Sequence, residues 1–482
     1  MANEVKEIEQ SDRGKKALKS GIWYTVSSIS VKAILIITTP IFTRLMSTED
    51  YGLSATFSTW FALLNVIASL NLWYSIGRAK LDFPGKLEEF VGSIQLLAFS
   101  FALALEAISL LFFESSYKAL DLTAPLLIAL YIYLLVYPAV QLTQSKMKYQ
   151  YNYKGNIAIT IYTTISTVII SLVLVIVMPD NAALGKSLGA VISAGALAVF
   201  IWIRAFSKKT IRVNLEYWKY GLKISVPLIL NSISLNILAQ SDRVFITKFC
   251  GTHYTGIYSL AYSYAILINI ILNAANEAWL PWFHDTFFDE NYEEIKKNVK
   301  PLITFGCWFG VGCIAIAPEA IALLGGKTYS EGVWAVPPVT LGIVCSYIFQ
   351  HYEHIELHLK KTWYISVGTV IAAVVNLILN YIFVPMFGFV AAAYTTLACY
   401  ILLMILHHYI SRGILKVHLY HDKFMYSALI VTAILAVVFM SLYNALWIYR
   451  WILIVIISGI YLFTNRKMII KAVTNFLNKR KK

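Results

Sequence analysis

Charged and amide side chains interrupt several long apolar segments of this chain, in positions suited to binding an anion. Lys32, Asp242 and Arg243 lie inside such segments, and Arg44 and Lys248 lie at the ends of two of them. Ammonium and guanidinium groups donate hydrogen bonds to phosphate oxygens, and the planar guanidinium can donate two at once. The pattern therefore predicts a cationic site for an anionic ligand, surrounded by apolar sequence.

The amide side chains near these charges follow helical spacing. Ser225, Ser232, Asn236, Gln240 and Arg243 recur every three, four or seven residues, which places them on one face of a helix. A second such face carries Asn269, Asn273, Asn276 and Glu277. Polar side chains in a membrane normally face the protein interior or a hydrated cavity. We predict a central cavity with these ligand-binding residues: Lys32, Arg44, Asn236, Gln240, Asp242, Arg243, Lys248, Asn269, Asn273 and Glu277.

Other roles are open for several of these charges. Arg44, Lys248 and also Arg78 could extend from helix ends to the membrane surface without binding a ligand. Asp242 and Arg243 are adjacent and could neutralise each other or orient their helix. These residues are therefore predicted as cavity residues with a purely structural alternative.

Two further features carry acidic or histidine side chains. Glu106 lies inside an apolar segment and is a candidate proton site, and Glu277 is either a gate or a solvated helix end. His351, His354 and His358 share a helix face, but their order differs from the H-E-x-x-H arrangement of zinc proteases. We interpret this segment as a solvated helix end, predict no metal site, and find no catalytic motif that would indicate an enzyme.

The composition requires a membrane protein, because the mean hydropathy is +0.67 and 59% of the residues are hydrophobic. An all-α polytopic protein is predicted, with 14 apolar segments that could each cross a hydrocarbon core of roughly 30 Å. The segments span 21–43, 51–76, 91–113, 119–142, 156–178, 183–203, 224–247, 255–280, 301–318, 332–350, 362–385, 387–410, 424–443 and 451–465.

Basic residues between the segments predict the orientation. Of the 40 Lys and Arg residues, 32 lie in the N-terminus, the even-numbered connections and the C-terminal tail, and six lie in the odd-numbered connections. Lys186 is counted with the six in the odd-numbered connections. The positive-inside rule then places both termini in the cytoplasm. The net charge of +14 is explained by these loops and by contact with anionic membrane lipids, so no nucleic-acid partner is expected.

The chain also repeats itself weakly at a shift of 204 residues. Gly52 then falls on Gly256, Thr43 on Thr247, and LMSTEDYGLSATFSTWFALLN lies over FCGTHYTGIYSLAYSYAILIN. Six segments precede the second copy, so the copies have the same orientation and form a parallel repeat of the kind seen in transporters. We predict two pseudo-symmetric six-helix lobes, 1–213 and 214–416, around a central cavity, with two additional helices and a basic tail at 417–482.

Four segments together resemble a known family. They are Ser241-Asp242-Arg243 with GTHYTGIYSLAYSY (251–264), NEAWLPWF (276–283), PEAIALLGGKTYSEGVWAVPP (318–338) and NLILNYIFVPMFGFVAAAYTTL (376–397). In order and spacing they are similar to the Wzx-type flippases for O-antigen or capsule repeat units. These belong to the multidrug/oligosaccharidyl-lipid/polysaccharide exporter superfamily.

The resemblance implies a function and partners. The substrate would be an oligosaccharide repeat unit on undecaprenyl pyrophosphate, moved across the cytoplasmic membrane by alternating access for synthesis of surface polysaccharide, including lipopolysaccharide. Lys32, Arg243 and Arg44 are the positions that would hold the pyrophosphate. The resemblance also implies a monomer without a cofactor, an unidentified coupling cation (H⁺ or Na⁺), and contact with a polysaccharide polymerase and a chain-length regulator.

Two other functions are open. A cation-coupled exporter of drugs or small metabolites with the same fold would have a cavity dominated by acidic and aromatic groups. A membrane-embedded transferase would need a large loop or a convergent set of His, Asp and Glu side chains. The basic and polar helix faces favour the flippase over both.

Overall fold

The computed structural model describes residues 37–464 together with Trp23, Ser27, Ser30, Val31 and Ile34. Within this part the chain is helical and contains no β-strand. The all-α architecture predicted from the sequence is therefore confirmed. Lys32 lies outside the described residues, and its assignment to the cavity stays a prediction.

Two groups of helices form the two lobes. The N-terminal lobe contains α1 (helical over 37–45), α2 (Thr48–Ala68), α3 (Ser75–Asp82), α4 (Leu87–Leu110), α5 (Phe113–Ala119), α6 (Ala124–Tyr149), α7 (Tyr153–Val177) and α8 (Ala182–Ser207). The C-terminal lobe contains α9 (Leu215–Cys250), α10 (Thr252–Phe288), α11 (Tyr292–Ala315), α12 (Ala317–Gly325), α13 (Val336–His358), α14 (Trp363–Phe387) and α15 (Phe389–Tyr409). Two further helices follow, α16 (Asp422–Ser441) and α17 (Trp447–Thr464).

The number of membrane spans is close to the prediction. Among the described residues, 11 helices are long and apolar enough to cross a membrane. A twelfth span arises if α13 is joined to the 3₁₀ helix Lys327–Trp334, from which it is bent by 49°. The count of 14 is not confirmed, because the first predicted segment lies partly outside the described residues and α17 is described as a shorter apolar helix, Trp447–Gly459.

Local sequence determines where several helices begin and turn. The Ser47 side chain accepts a hydrogen bond from the Asp50 backbone N–H at the start of α2, and Asn214 accepts from Glu216 and Tyr217 at the start of α9. Gly251 separates α9 from α10 with φ of 93°, a backbone conformation that side chains with a Cβ rarely adopt. A single residue can therefore reverse the chain between two long antiparallel helices.

The lobes meet at one end through α2 and α10. Thr48 and Glu49 both contact His253, with distances of 2.6 Å from Thr48 Oγ1 and 2.9 Å from Glu49 Oε1 to His253 Nδ1. Deeper in the interface the hydroxyls of Thr56 and Thr247 are 2.7 Å apart. The basic loops predict that this end is extracytoplasmic. It is called the α2–α10 junction below.

The lobes also meet near the opposite end, where the first turns of α9 pack on α3 and α4. Tyr220 donates a hydrogen bond of 2.7 Å to Asp82, and Asn71 donates one of 2.9 Å to Ser232. The hydrogen bond from Tyr220, together with the neighbouring Arg78 guanidinium, holds the pKa of Asp82 below its ordinary value. Polar contacts therefore join the lobes at two levels, and the lobe limits at 213 and 416 stay a prediction.

Candidate functional site

A cavity of about 540 Å³ lies next to the α2–α10 junction. Its walls come from α1, α2, α6, α7 and α8 of the N-terminal lobe and from α10 and α12 of the C-terminal lobe. Aromatic rings alternate with hydroxyls along the wall, and a single charged side chain, Lys186, lines it among the described residues. The size is that of a small-molecule site.

Lys186 lies in the second turn of α8, close to the aromatic wall. Its Nζ is 3.8 Å from the centre of the Tyr51 ring and 5.5 Å from the centre of the Phe42 ring. Cation–π contact offsets part of the cost of burying an ammonium group. Lys186 Nζ forms no ion pair or hydrogen bond with any residue between 37 and 459. Its positive charge is therefore available to a bound anion.

A second cation, Arg243, lies in the C-terminal lobe. Arg243 of α9 stacks on Tyr262, with its Cζ 4.5 Å from the ring centre, and its Nη1 is buried without a hydrogen-bond partner in the described part of the chain. Tyr51 interacts with Ser263 of α10 and lies within electrostatic range of Arg243. Lys186 and Arg243 thus come from different lobes. Lys186 contacts the Tyr51 ring, and Arg243 lies within electrostatic range of it.

Asp242, next to Arg243 in sequence, points into the C-terminal lobe. Its Oδ1 accepts hydrogen bonds from Asn380 at 2.9 Å and Thr396 at 3.0 Å, and its Oδ2 accepts from Thr396 at 2.8 Å and from Tyr258. The residue is 1% exposed and pairs with no cation that the structure describes. Asn376 extends this network by accepting a hydrogen bond from Ser241. The result is a buried carboxylate held by amide and hydroxyl groups on α9, α10, α14 and α15.

The residues predicted to bind the ligand are not the ones that line this cavity. None of the described ones lines the 540 Å³ cavity. Arg44 and Lys248 are exposed, and Arg44 donates to the Leu323 carbonyl at 3.3 Å. Glu277 is exposed, whereas Asn236, Gln240, Asn269 and Asn273 are half-buried. Their role in ligand binding stays a prediction.

The predictions made for the acidic and histidine-rich features have mixed outcomes. The solvated-end interpretation of 351–358 is wrong, because His351 and Glu356 are completely buried. Glu356 Oε1 lies 2.8 Å from Nδ1 of His407, which is also buried. Glu106 is 7% exposed, and its Oε1 has no hydrogen-bond partner among the described residues.

Lys186 is absent from the predicted site because its charge was counted with the connection before the segment 183–203, although it lies inside that segment. In the structure, α8 already begins at Ala182, and Lys186 follows one turn later. The signal that could have identified it is the run of small and hydroxyl residues Gly185, Ser187, Gly189 and Ser193, which continues the helix and permits close packing against α7.

The fold is that of a polytopic membrane protein with two lobes. The chain belongs to the polysaccharide biosynthesis protein family, whose model matches residues 17–287. A search of curated proteins found no match.

Solved structures of the MOP superfamily share the fold. The lipid II flippase MurJ, in an inward closed conformation, has a TM-score of 0.64 and 15% identity, with 93% of this chain and all of that chain covered. An inward-facing multidrug resistance MATE transporter has a TM-score of 0.58 and 13% identity, covering 81% and 98%. A MOP transporter from Pyrococcus furiosus, described as having a binding pocket of reversed polarity, has a TM-score of 0.53 and 12% identity, covering 90% and 97%.

Proposed function

We propose that this protein is a flippase for a lipid-linked oligosaccharide, and that Lys186 and Arg243 bind the pyrophosphate that joins the sugar to its lipid carrier. The observation that carries the proposal is that Lys186 lies against the Tyr51 ring and Arg243 within electrostatic range of it, and that neither cation forms an ion pair in the described part of the chain. An unpaired charge held away from water is costly, and an anionic ligand removes that cost. Family membership supports a substrate from polysaccharide biosynthesis.

The cavity also suits the rest of such a head group. Hydroxyls of Ser54, Ser58, Ser187 and Ser263 line it beside the aromatic wall. Sugars bind to this combination because their hydroxyls form hydrogen bonds while their C–H faces pack on rings. At about 540 Å³ the cavity is large enough for the pyrophosphate and the nearest sugar beside Lys186. Arg243 does not line it in this conformation, so the lobes must move to bring Arg243 to the ligand and to admit a complete repeat unit.

Alternating access follows from how the two cations are distributed. Lys186 belongs to the N-terminal lobe and Arg243 to the C-terminal lobe, so a ligand that touches both is bound differently as the lobes move. A ligand shifts a conformational equilibrium only through such a difference in affinity. We expect the loaded and empty transporter to differ in closure of the α2–α10 junction. The cytoplasmic-membrane location, the cytoplasmic termini, the monomeric state and contact with a polymerase and chain-length regulator are part of the same proposal.

Asp242 is the proposed site of the coupling cation. The Asn380 amide and the Thr396 hydroxyl now donate hydrogen bonds to Asp242, so Na⁺ would bind after these two side chains turn their oxygens toward it, whereas H⁺ would bind the carboxylate directly. Asp242 and Arg243 are consecutive in α9, so the charge state of the buried site can influence the anion site. This connection would couple cation binding to movement of the head group.

The exporter of drugs or small metabolites is the second candidate. It is favoured by the aromatic wall formed by Phe42, Tyr51, Phe57, Phe61 and Tyr133. The charged side chain in the same wall is a lysine and not a carboxylate, which favours an anion over a cationic drug. The distant alternative, a membrane-embedded transferase, would need a convergent catalytic set in this cavity, and its described lining contains no Asp, Glu or His.

The test is complementation in the host with the gene deleted, followed by leaflet-specific labelling of the lipid-linked oligosaccharide. Wild type should restore outward movement, and Lys186→Ala and Arg243→Ala should each lower its rate about 10- to 100-fold, as expected for the loss of one charge-assisted interaction. Lys186→Arg keeps the charge and should retain most activity. Lys118→Ala is the matched control, because Lys118 is exposed and lies on the same predicted side.

Unchanged leaflet distribution in the deletion strain would overturn the flippase proposal. Full activity of both alanine variants, at membrane levels equal to wild type, would leave flipping in place and overturn the assignment of the anion site. Loss of dye efflux without loss of surface polysaccharide would support the exporter.

A further inference from the structure

A second pocket, of about 230 Å³, lies in the N-terminal lobe and shares no lining residue with the 540 Å³ cavity. It is formed where α4 begins and where α6 and α8 end, with α7 on one side. This end carries the basic connections and is predicted to face the cytoplasm. The charged residues of its wall are Lys146, Arg204, Lys208 and Glu88.

The charges in this pocket do not balance. Lys208 Nζ is 2.9 Å from Glu88 Oε2, and Lys146 Nζ is 3.8 Å from Glu88 Oε1. Both lysines therefore share one carboxylate, and Arg204 forms no ion pair with any residue the structure describes. Three cations against one carboxylate leave an excess of positive charge around a concave surface.

Helix ends alone explain part of this arrangement. Lys146 and Arg204 lie in the last turns of α6 and α8, where cations offset the helix dipole. A dipole does not explain why the cations surround a pocket with a polar floor. That floor contains the buried Gln95, whose amide donates hydrogen bonds to Thr143 Oγ1 at 3.1 Å and to the Ala139 carbonyl at 3.2 Å.

The remaining wall is apolar and continues onto the lipid-facing surface. Leu197, Phe200 and Ile201 of α8 line the pocket. Phe200 is 59% exposed, and Ile203, on the following turn, is 61% exposed. On a helix that spans a membrane, such exposed apolar side chains contact acyl chains. A ligand seated here has its charged part among the lysines and an apolar part along α8.

We propose that this pocket binds the head-group phosphate of an anionic phospholipid from the cytoplasmic leaflet, with the first part of an acyl chain lying along Phe200. Basic pockets between helices at this membrane surface are suited to such head groups. The charge excess selects an anionic over a zwitterionic lipid. The apolar wall distinguishes a lipid from free phosphate, which shares the same charge but gains nothing from α8.

The position of the pocket gives this lipid a role in lobe movement. Thr210 of the segment that connects the lobes also lines the pocket. The connection packs tightly on α4, since a Cβ at Gly92 would lie 2.4 Å from the Thr210 carbonyl oxygen. On the same helix, the Ser93 carbonyl accepts a hydrogen bond of 3.0 Å from Trp218 of α9. A bound lipid therefore stabilises the connection against the N-terminal lobe. This inference rests on the fold and is independent of the proposed substrate.

Native mass spectrometry of the purified full-length protein can test the site with phosphatidylglycerol and phosphatidylcholine of identical acyl chains. We expect wild type to retain phosphatidylglycerol at least about fivefold more than phosphatidylcholine, as expected when one or two charge-assisted interactions are gained. The triple variant Lys146→Gln/Arg204→Gln/Lys208→Gln should lose this preference. The control triple variant Lys148→Gln/Lys154→Gln/Lys209→Gln removes the same charge from exposed positions at the same end, and it should keep the preference.

Each further outcome decides between the lipid and its alternatives. If both triple variants lose the preference for phosphatidylglycerol equally, the assignment of the lipid site to this pocket is overturned, because general surface charge would then explain binding. If inorganic phosphate raises the thermal-unfolding midpoint of wild type as much as phosphatidylglycerol does, the ligand is phosphate and the lipid assignment is overturned. Phe200→Ala should weaken phosphatidylglycerol retention alone, and an unchanged value would contradict the acyl-chain contact. Matching gel-filtration profiles establish that every variant is folded.

Discussion

Gly52 of α2 and Gly256 of α10 pack directly against each other, in a contact that is reciprocal between the two lobes. A Cβ at Gly52 would lie 1.9 Å from the Thr252 carbonyl oxygen, and a Cβ at Gly256 would lie 2.1 Å from the Thr48 carbonyl oxygen. Gly52 and Thr48 correspond to Gly256 and Thr252 at the sequence shift of 204 residues. Equivalent atoms therefore face each other across a pseudo-twofold axis, as a parallel repeat requires.

Closure of the α2–α10 junction should depend on both glycines. Gly52→Ala and Gly256→Ala each place a methyl group where backbone atoms of the other lobe now lie, so we expect either variant to favour separation of the lobes at this end. Spin labels attached at Glu49→Cys and His253→Cys would measure the distance between the two lobes at this junction by double electron–electron resonance. The matched control is Gly195→Ala, since a Cβ there meets no atom within 4 Å. A distance distribution unchanged from wild type in both variants would contradict the tight junction.

The part of the fold that could be predicted from sequence is the part fixed by hydropathy and by the repeat. The apolar runs located the long helices, and the match of Gly52 with Gly256 identified two residues that meet in the structure. Side-chain direction was not predictable in the same way. Asp242 and Arg243 are neighbours in sequence, yet the first faces α14 and α15 and the second faces the ring of Tyr262.

The candidate site was harder to predict for a physical reason. Helical periodicity assigns residues to faces, but it does not indicate which neighbouring helix covers each face. Asn276 was placed on a cavity face, whereas it donates a hydrogen bond of 2.7 Å to Gln350 inside the C-terminal lobe. Lys186 was treated as a loop charge although it lies inside the apolar segment 183–203, because a charge near the end of a segment is compatible with either location.

Asp242→Asn should remove the response of the protein to its coupling cation. The substitution keeps the shape of the side chain but removes the negative charge that attracts the ion. We expect wild type to show a higher thermal-unfolding midpoint in NaCl than in choline chloride at equal ionic strength, and the variant to show little difference. Asp180→Asn, at an exposed position, serves as control. If wild type and Asp242→Asn respond equally, a sodium ion does not bind at this carboxylate.

His407 should be more important for stability than its buried carboxylate partner. Its Nδ1 is 2.8 Å from Glu356 and its Nε2 is 3.4 Å from Glu353. His407→Leu leaves the buried Glu356 carboxylate without its hydrogen-bond partner, which costs roughly 1–3 kcal/mol. Glu356→Gln keeps a hydrogen-bonding group in place and should cost less. Thermal unfolding of both variants, with the exposed His418→Leu as control, shows which substitution lowers stability more. A milder effect of His407→Leu than of Glu356→Gln would contradict this reasoning.

The ion pair between Arg450 and Glu319 should attach the last helix to the C-terminal lobe. Arg450 of α17 donates to Glu319 of α12, and the indole of Trp451 donates to the same oxygen at 3.2 Å. The Arg450 side chain is 4% exposed, so loss of its partner leaves a buried cation. Glu319→Gln should therefore destabilise the protein by about 2 kcal/mol, the scale of a hydrogen bond to a charged group.

A double-mutant cycle separates this ion pair from general packing of α17. Arg450→Met keeps most of the side-chain volume and removes the charge, so we expect Glu319→Gln to cost little when it is combined with Arg450→Met. The midpoints of thermal unfolding of wild type, both single variants and the double variant provide the coupling. α17 has no counterpart in the repeat, and nothing in the pseudo-symmetry requires its position. If the two substitutions lower stability by strictly additive amounts, apolar packing alone holds this helix. If the side chains are coupled, the second substitution must lower stability less once the first is present.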